Sequence, residues 1–153
     1  PPSWRQAEVG KVLDSVIDLM KHSAGKNIHL ERRIAERLPL LLCDEEQLAQ
    51  VVLNLTINAA QAMPDGGEIL LSARMEGGGI LIQVRDQGAG IAPEDVDRIF
   101  DPFFTTKDTG TGLGLAVVEQ IVSRHGGSVN VVKNPDRGMT FSLFFPQTQG
   151  EAG

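Results

Sequence analysis

The sequence predicts an α/β (α+β) two-layer sandwich, in which a mixed sheet is covered on one face by about three helices. Helical periodicity in three segments and strand-like patterns around them are two of the observations that predict it. The third is the length of 153 residues, which suffices for one domain with a core. We assign residues 1–146 to this domain and expect the small, polar residues 147–153 to form a disordered tail.

In the first half of the chain, apolar residues recur at helical spacing over 11–23 and predict an amphipathic helix. Asp44 is predicted to begin a long helix, with Gln47 as its capping-box partner and Pro64 after its end. Alternating or short apolar runs predict strands at 5–10, 28–34 and 40–43.

In the second half, a long helix is predicted over 113–125, because Gly126 and Gly127 are suited to end it. Pro93 is suited to the first turn of a shorter helix over 93–99. Strand patterns lie at 68–73, 80–85, 128–132 and 140–145, and the glycine run 77–79 predicts a hairpin between the first two.

Composition excludes several classes of protein. The net charge is −6 and no cluster of Lys and Arg stands out, which argues against nucleic-acid binding. No apolar run is long enough to cross a bilayer, and the N-terminus has no signal-peptide pattern. The single cysteine, Cys43, excludes a disulfide framework and favours a reducing cytoplasm. Because the chain opens on two prolines rather than Met, we expect it to be part of a longer protein.

Amide side chains form a stripe along the helix that begins at Asp44. They recur at spacings of three and four, at Gln47, Gln50, Asn54, Asn58 and Gln61. Apolar residues lie on both flanks of the stripe, which predicts a largely buried helix. Uncharged amides in that setting suit a cleft that binds a ligand or a metal. An internal hydrogen-bond network is the alternative interpretation.

Two glycine-containing segments are further candidates for a binding site. Asp86 ends an apolar strand and is followed by Gly88 and Gly90, which permit close backbone approach, although an Asp here can simply form a turn. The run Gly-Thr-Gly-Leu-Gly at 110–114 opens the third helix, whose free N–H groups favour an anion. A flexible loop with a helix cap is the alternative. The run matches neither a Rossmann fingerprint nor a P-loop.

The segments occur in a fixed order: Asn-Leu-Thr-Ile-Asn-Ala-Ala at 54–60, Asp-Gln-Gly-Ala-Gly at 86–90, Phe-Asp-Pro-Phe-Phe-Thr-Thr-Lys at 100–107 and Gly-Thr-Gly-Leu-Gly-Leu at 110–115. Together they resemble the catalytic nucleotide-binding domain of a two-component sensor histidine kinase. Its superfamily includes gyrase, a heat-shock chaperone and mismatch-repair ATPases. The resemblance covers nearly the whole chain and implies a Bergerat-type fold that binds ATP and Mg²⁺ under a mobile lid.

The resemblance also implies roles for particular residues. Asn58 would supply an amide oxygen to Mg²⁺, and Asp86 would accept a hydrogen bond from the adenine amino group, with Thr140 bonding nearby through water. Lys107 would reach a terminal phosphate, so Asn54, Asn58 and Lys107 are the catalytic candidates. The remaining nucleotide contacts would come from Ala62, Gly88, Gly90, Ile91, Phe103, Gly110, Thr111, Gly112, Leu113, Gly114 and Leu115.

Asn54 stands where relatives that hydrolyse ATP carry a Glu. An amide cannot accept a proton near neutral pH, which favours phosphoryl transfer over hydrolysis. The chain has three His, and none of His22, His29 and His125 lies in the expected acceptor pattern. We therefore expect the acceptor His on a separate dimerisation domain.

The resemblance further implies a homodimeric full-length protein, a downstream response regulator and a cytoplasmic domain without direct membrane contact. The full-length protein is expected to be anchored in the inner membrane. Two alternatives remain open. One is an anti-sigma-factor Ser kinase of the same superfamily, and the other is an interaction module that binds nucleotide without transferring phosphate.

Overall fold

The computed structural model describes residues 3–23, 27–100 and 114–147. Three α-helices lie in these ranges: α1 (Val9–Ser23), α2 (Glu45–Gln61) and α3 (Gly114–Arg124). Its strands are β1 (Trp4–Ala7), β2 (Ile28–Ile34), β3 (Leu41–Asp44), β4 (Gly67–Glu76), β5 (Gly79–Arg85), β6 (Ser128–Lys133) and β7 (Met139–Pro146). A short 3₁₀ helix spans Pro93–Arg98, where an unspecified short helix was predicted.

Five strands form one mixed sheet in the order β2-β4-β5-β7-β6, and β1 pairs with β3 in a separate two-stranded sheet. Within the larger sheet β2 runs parallel to β4, and the other neighbours are antiparallel. Alternate residues of the central strand β5 are fully buried, at Ile80, Ile82 and Val84. The predicted fold class, a mixed sheet with three helices, is confirmed.

The N-terminus of α2 is capped as predicted, but its second capping bond has a different partner. Asp44 Oδ1 accepts a hydrogen bond from Gln47 N at 3.1 Å. In a complete capping box the Gln47 side chain would accept from Asp44 N. Instead, Asp44 N donates to His125 Nε2 at 3.1 Å. Gln47 Oε1 is buried without a hydrogen-bond partner among the described residues.

The prediction that α2 is buried on both flanks is wrong for one of them. The buried side of the helix consists of Leu48, Val51, Val52, Leu55, Thr56 and Ala59. On the other side Ile57 is 39% exposed, while Leu53 and Ala60 are only half-buried against the core. α2 therefore has one face in the core and its amide stripe at the border with solvent.

Gly77 and Gly78 form the hairpin turn between β4 and β5, with φ of 52° and 86°. Two successive positive φ values match the right-handed twist of the flanking strands. Gly79 already belongs to β5, so the turn is one residue shorter than the predicted glycine run. Gln147 N donates to Gly78 O at 3.0 Å, and the rest of the predicted tail lies outside the described residues.

Candidate active site

Asp86, the residue after β5, is buried and its carboxylate is held by backbone groups. Oδ1 accepts hydrogen bonds from Gly88 N at 2.8 Å and from Met139 N at 3.2 Å. Asp86 N also donates to Met139 O at 3.0 Å, which joins the end of β5 to the start of β7. These two hydrogen bonds both reach Oδ1, and Oδ2 has capacity left to accept from a ligand.

Asn134, between β6 and β7, is a buried residue to which sequence reasoning gave no role. Its Nδ2 donates to Asp86 O and to Arg137 O, at 2.9 Å each. Its Oδ1 accepts a hydrogen bond from Thr140 Oγ1 at 2.5 Å. The structure thus brings the predicted residues Asp86 and Thr140 together through a third side chain. The only local signal was the Asn-Pro pair at 134–135, which indicates a turn.

The end of α2 packs directly on the loop that follows Asp86. A Cβ added to Gly88 would lie 2.6 Å from both Cβ and O of Ala62, so this position requires glycine. Ala62 is the C-cap residue of α2. Next to it, the buried Met63 accepts a hydrogen bond from Gln87 N through Sδ, at 3.4 Å. Gly90, with φ of 88°, and the half-buried Ile91 continue this loop.

Asn54, Asn58 and Ala62 are four residues apart and share one face of α2. The two Asn side chains are half-buried, as expected for the border of a cleft. With a rise of about 1.5 Å per residue, Asn54 lies about 12 Å along the helix axis from Ala62. The face therefore runs away from Asp86 over a distance comparable to that from a nucleobase to a triphosphate.

The start of α3 contains the remaining predicted residues that the structure describes. Gly114 is exposed at the first position of the helix, and Leu115 is half-buried against the core. α3 packs on α2, the helix that bears the amide stripe. The residues Phe103, Lys107, Gly110, Thr111, Gly112 and Leu113 lie outside the described residues, as does the predicted lid.

An ion pair borders the site on the side of the β6–β7 connection. Arg85 Nη2 lies 3.3 Å from Asp136 Oδ1, and both side chains are largely exposed. The backbone N–H of Arg137 and, less strongly, the Arg85 guanidinium lower the pKa of the Asp136 carboxyl. The pair places two opposite charges at the edge of the site, next to the uncharged side chains of Asn134 and Thr140.

None of the three His residues joins this site. His22 Nδ1 lies 2.8 Å from Asp18 O on the exposed side of α1, and His29 is exposed on the edge strand β2. His125 uses both ring nitrogens, because Nδ1 contacts Ile121 O at 2.8 Å and Nε2 accepts from Asp44 N. Within the described ranges, no group of three His, Cys, Asp or Glu residues could hold a metal ion. None of the helices in these ranges is long and apolar enough to span a bilayer.

Comparison with known proteins gives a consistent result. A family model described as "Histidine kinase-, DNA gyrase B-, and HSP90-like ATPase" matches residues 43–149. The sensor histidine kinase ZraS of Escherichia coli strain K12 is 41% identical over 140 residues, which make up 91% of this chain and 30% of that protein. The chain thus spans less than a third of this curated relative.

Solved structures of similar fold include a histidine kinase catalytic domain and a full-length protein in complex with AMPPNP. The catalytic domain of histidine kinase ThkA superposes with a TM-score of 0.86 at 27% identity, covering 95% of this chain and 96% of that one. Full-length ShkA in complex with AMPPNP gives a TM-score of 0.84 at 33% identity, covering 95% of this chain and 31% of that one.

Proposed function

Since the chain belongs to the family of histidine kinase-, DNA gyrase B- and HSP90-like ATPases, we propose that it binds ATP with Mg²⁺ and transfers the terminal phosphoryl group to a histidine on a separate domain. One observation carries the proposal. The fixed carboxylate of Asp86 and the amide face of α2 meet at the contact between Gly88 and Ala62. This contact supports the proposal, because it would put a nucleobase end and a phosphate end on one surface.

At the nucleobase end, Asp86 accepts a hydrogen bond from the adenine amino group. Two backbone N–H groups already orient the carboxylate, so little ordering remains to be done when the base binds. Gly88 and Gly90 let the chain approach the ring closely, and Ile91 contributes apolar surface.

At the phosphate end, Asn58 would contribute a side-chain oxygen to Mg²⁺. This residue fits the ion, because Mg²⁺ prefers oxygen ligands and completes its shell with phosphates and water. When bound, the ion would supply positive charge against the phosphates. Asn54, one helical turn earlier, hydrogen-bonds without accepting a proton, so it favours transfer over activation of water. Catalysis is mainly positioning and electrostatic stabilisation.

The acceptor histidine lies outside this domain in the proposed mechanism. His125 is committed to two internal hydrogen bonds, and His22 contacts its own helix. The proposed acceptor domain is the dimerisation domain of a longer, homodimeric protein that signals to a response regulator and is anchored at the inner membrane. The roles of Lys107, Phe103 and residues 110–113 in holding phosphates remain part of this proposal.

Calorimetry tests the binding step. We expect micromolar affinity for ATP and ADP, and loss of the Mg²⁺-dependent part in Asn58→Ala. Asp86→Asn should reduce the preference for ATP over GTP by about tenfold or more, because the built acceptor is lost. Equal affinity of the unmodified domain for ATP and GTP would sink the adenine assignment.

Transfer from labelled ATP tests the chemical step. The domain alone should remain unlabelled and hydrolyse ATP slowly, and adding the dimerisation domain should produce an acid-labile label on a His there. Acid-stable label would instead indicate a Ser kinase. Binding of ATP without any transfer to that domain would indicate an interaction module.

A further inference from the structure

We propose that Asn134 is the positioning residue that sets the nucleobase specificity of this site without touching the nucleotide. It fixes the position of Asp86 and the direction in which the Thr140 hydroxyl points. The inference deepens the proposed adenine pocket and rests on it. Its basis is the buried hydrogen-bond network that joins Asn134, Asp86, Arg137 and Thr140.

The orientation of the Asn134 amide follows from its partners. One end of the amide faces two backbone carbonyls, Asp86 O and Arg137 O, at 2.9 Å each. Carbonyls only accept hydrogen bonds, so this end must be the NH₂ group. The other end is therefore the carbonyl oxygen, and Thr140 Oγ1, at 2.5 Å from it, must donate.

This orientation fixes the polarity of Thr140. A hydroxyl group has one proton, and Thr140 uses that proton to donate a hydrogen bond to Asn134 Oδ1. Any contact that Thr140 makes to a nucleotide or to a bridging water is then made as an acceptor. Asp86 is also an acceptor when ionised, so Asp86 and Thr140 both present lone pairs to a bound base. These acceptors favour a base with an amino group and disfavour one with a carbonyl at the same position.

The surrounding backbone explains why an amide is needed at position 134. Asn134 N donates to Gly138 O at 2.9 Å, which closes the turn between β6 and β7. Asn134 is 5% exposed, so each polar atom of its side chain needs a partner. An Asp there would place a carboxylate against two carbonyl oxygens, which repel it. An Ala there would leave both carbonyls without this donor and the Thr140 hydroxyl without its acceptor.

ATP and inosine triphosphate (ITP) provide the probe, because ITP has a carbonyl in place of the adenine amino group. We expect Asn134→Ala to lower the ratio of the ITP to the ATP dissociation constant by about tenfold, since Thr140 is freed to donate to that carbonyl. If Asn134 had a merely structural role, the variant would bind both nucleotides more weakly by the same factor, and the ratio would not change. Asn130→Ala, at an exposed position on β6, the strand that precedes Asn134, is the matched control.

Thr140→Val tests the same link without disturbing the turn. It removes the hydroxyl, so it should also lower the ratio, and Asn134→Ala should add little in that background. Circular dichroism and thermal unfolding establish that each variant is folded. If Asn134→Ala does not fold, Thr140→Val alone decides, and an unchanged ratio in that variant overturns the inference.

The outcomes separate the two proposals. An unmodified domain that binds ATP and ITP equally refutes the adenine pocket itself. An unmodified domain that prefers ATP, and loses this preference in Asp86→Asn but keeps it in folded Asn134→Ala, refutes only the role of Asn134. Additive effects of Asn134→Ala and Thr140→Val on the ratio also refute it, because the two residues would then act independently.

Discussion

Gly138 illustrates how single residues determine the site through backbone approach. Its φ is 88°, and a Cβ there would overlap the backbone carbonyl and the carboxylate of Asp86. Gly78, in the β4–β5 turn, has a nearly identical φ of 86° but open space around it. The two glycines therefore separate the cost of a positive φ from the cost of lost space.

Gly138→Ala and Gly78→Ala are predicted to differ sharply. Gly78→Ala should lower the free energy of unfolding by about 1–2 kcal/mol, the strain of a left-handed residue. Gly138→Ala should cost more and should abolish ATP binding, because Asp86 must move. Urea unfolding and calorimetry measure the two effects. Equal losses of stability with ATP binding retained would show that Asp86 is not constrained by this contact.

Cys43, on β3, makes a second prediction about a single residue. Burial, followed by the nearby carboxylates of Glu45 and Asp44, raises the pKa of its thiol to about 11. The thiolate is the reactive form, so the folded protein should not react with a thiol reagent at pH 8. Reaction should become complete in concentrated guanidinium, which serves as the control. Fast reaction in the native state would contradict the burial of Cys43.

At the level of elements, one cluster joins the start of α2, the end of α3 and the residue before β1. Asp44 Oδ2 accepts from Ser3 N at 2.8 Å, while Oδ1 caps α2. His125 accepts from Asp44 N, and its ring centroid lies 4.5 Å from that of Trp4. The hydrogen bond between Asp44 and His125 therefore links α2, the helix with the amide stripe, to the end of α3. The predicted phosphate-binding segment directly precedes α3.

Asp44 should make stability depend on acid pH. Hydrogen bonds from Ser3 N and then Gln47 N lower the pKa of its carboxyl below the ordinary 3.8, against the opposing effect of burial. A lowered pKa in the folded state contributes stability above pH 3.8 that is lost as pH falls through the folded value.

Asp44→Asn is the variant that tests this dependence. The unmodified protein should be the more stable of the two near neutral pH, and the difference in free energy of unfolding should shrink below pH 3.8. Denaturant unfolding across the pH series measures it. A constant difference at all pH values would exclude the carboxylate as the cause.

At the level of the whole molecule, the sheet has one face in the core and one that is more open. On the central strand β5, Ile82 is fully buried and the adjacent Leu81, on the opposite face, is half-buried. The proposed ligand site lies at one end of this sheet, where β5 and β7 meet α2. We therefore expect stability and ligand recognition to depend on different parts of the sheet.

Ile82→Ala and Leu81→Ala form a matched pair for this separation. Ile82→Ala should lower the free energy of unfolding by about 2–5 kcal/mol, through lost transfer energy and a cavity. Leu81→Ala should cost clearly less. Folded protein of both variants should bind ATP with unchanged affinity, as calorimetry can measure. A larger cost at Leu81 would mean that the open face is covered in solution.

The sequence pointed to some residues of the candidate site and missed others. Asp86 and Thr140 lie close together, and Gly88 packs on Ala62, but their roles in binding adenine stay predictions. The metal and catalytic roles of Asn58 and Asn54 stay predictions, as do those of residues 103–113. Asn134 was missed because an Asn-Pro pair indicates only a turn, and its partners are distant in sequence.

The sequence by itself determined the order of the elements, the mixed sheet and the family. Periodicity, caps and short motifs carry this information, because each depends on residues within a few positions of one another. Only the tertiary structure decided that Asn134 holds Asp86, 48 residues away, and that His125 replaces Gln47 at Asp44, across 81 residues. These hydrogen bonds form where packed elements bring distant buried polar groups together, and a local pattern cannot specify which group will satisfy another.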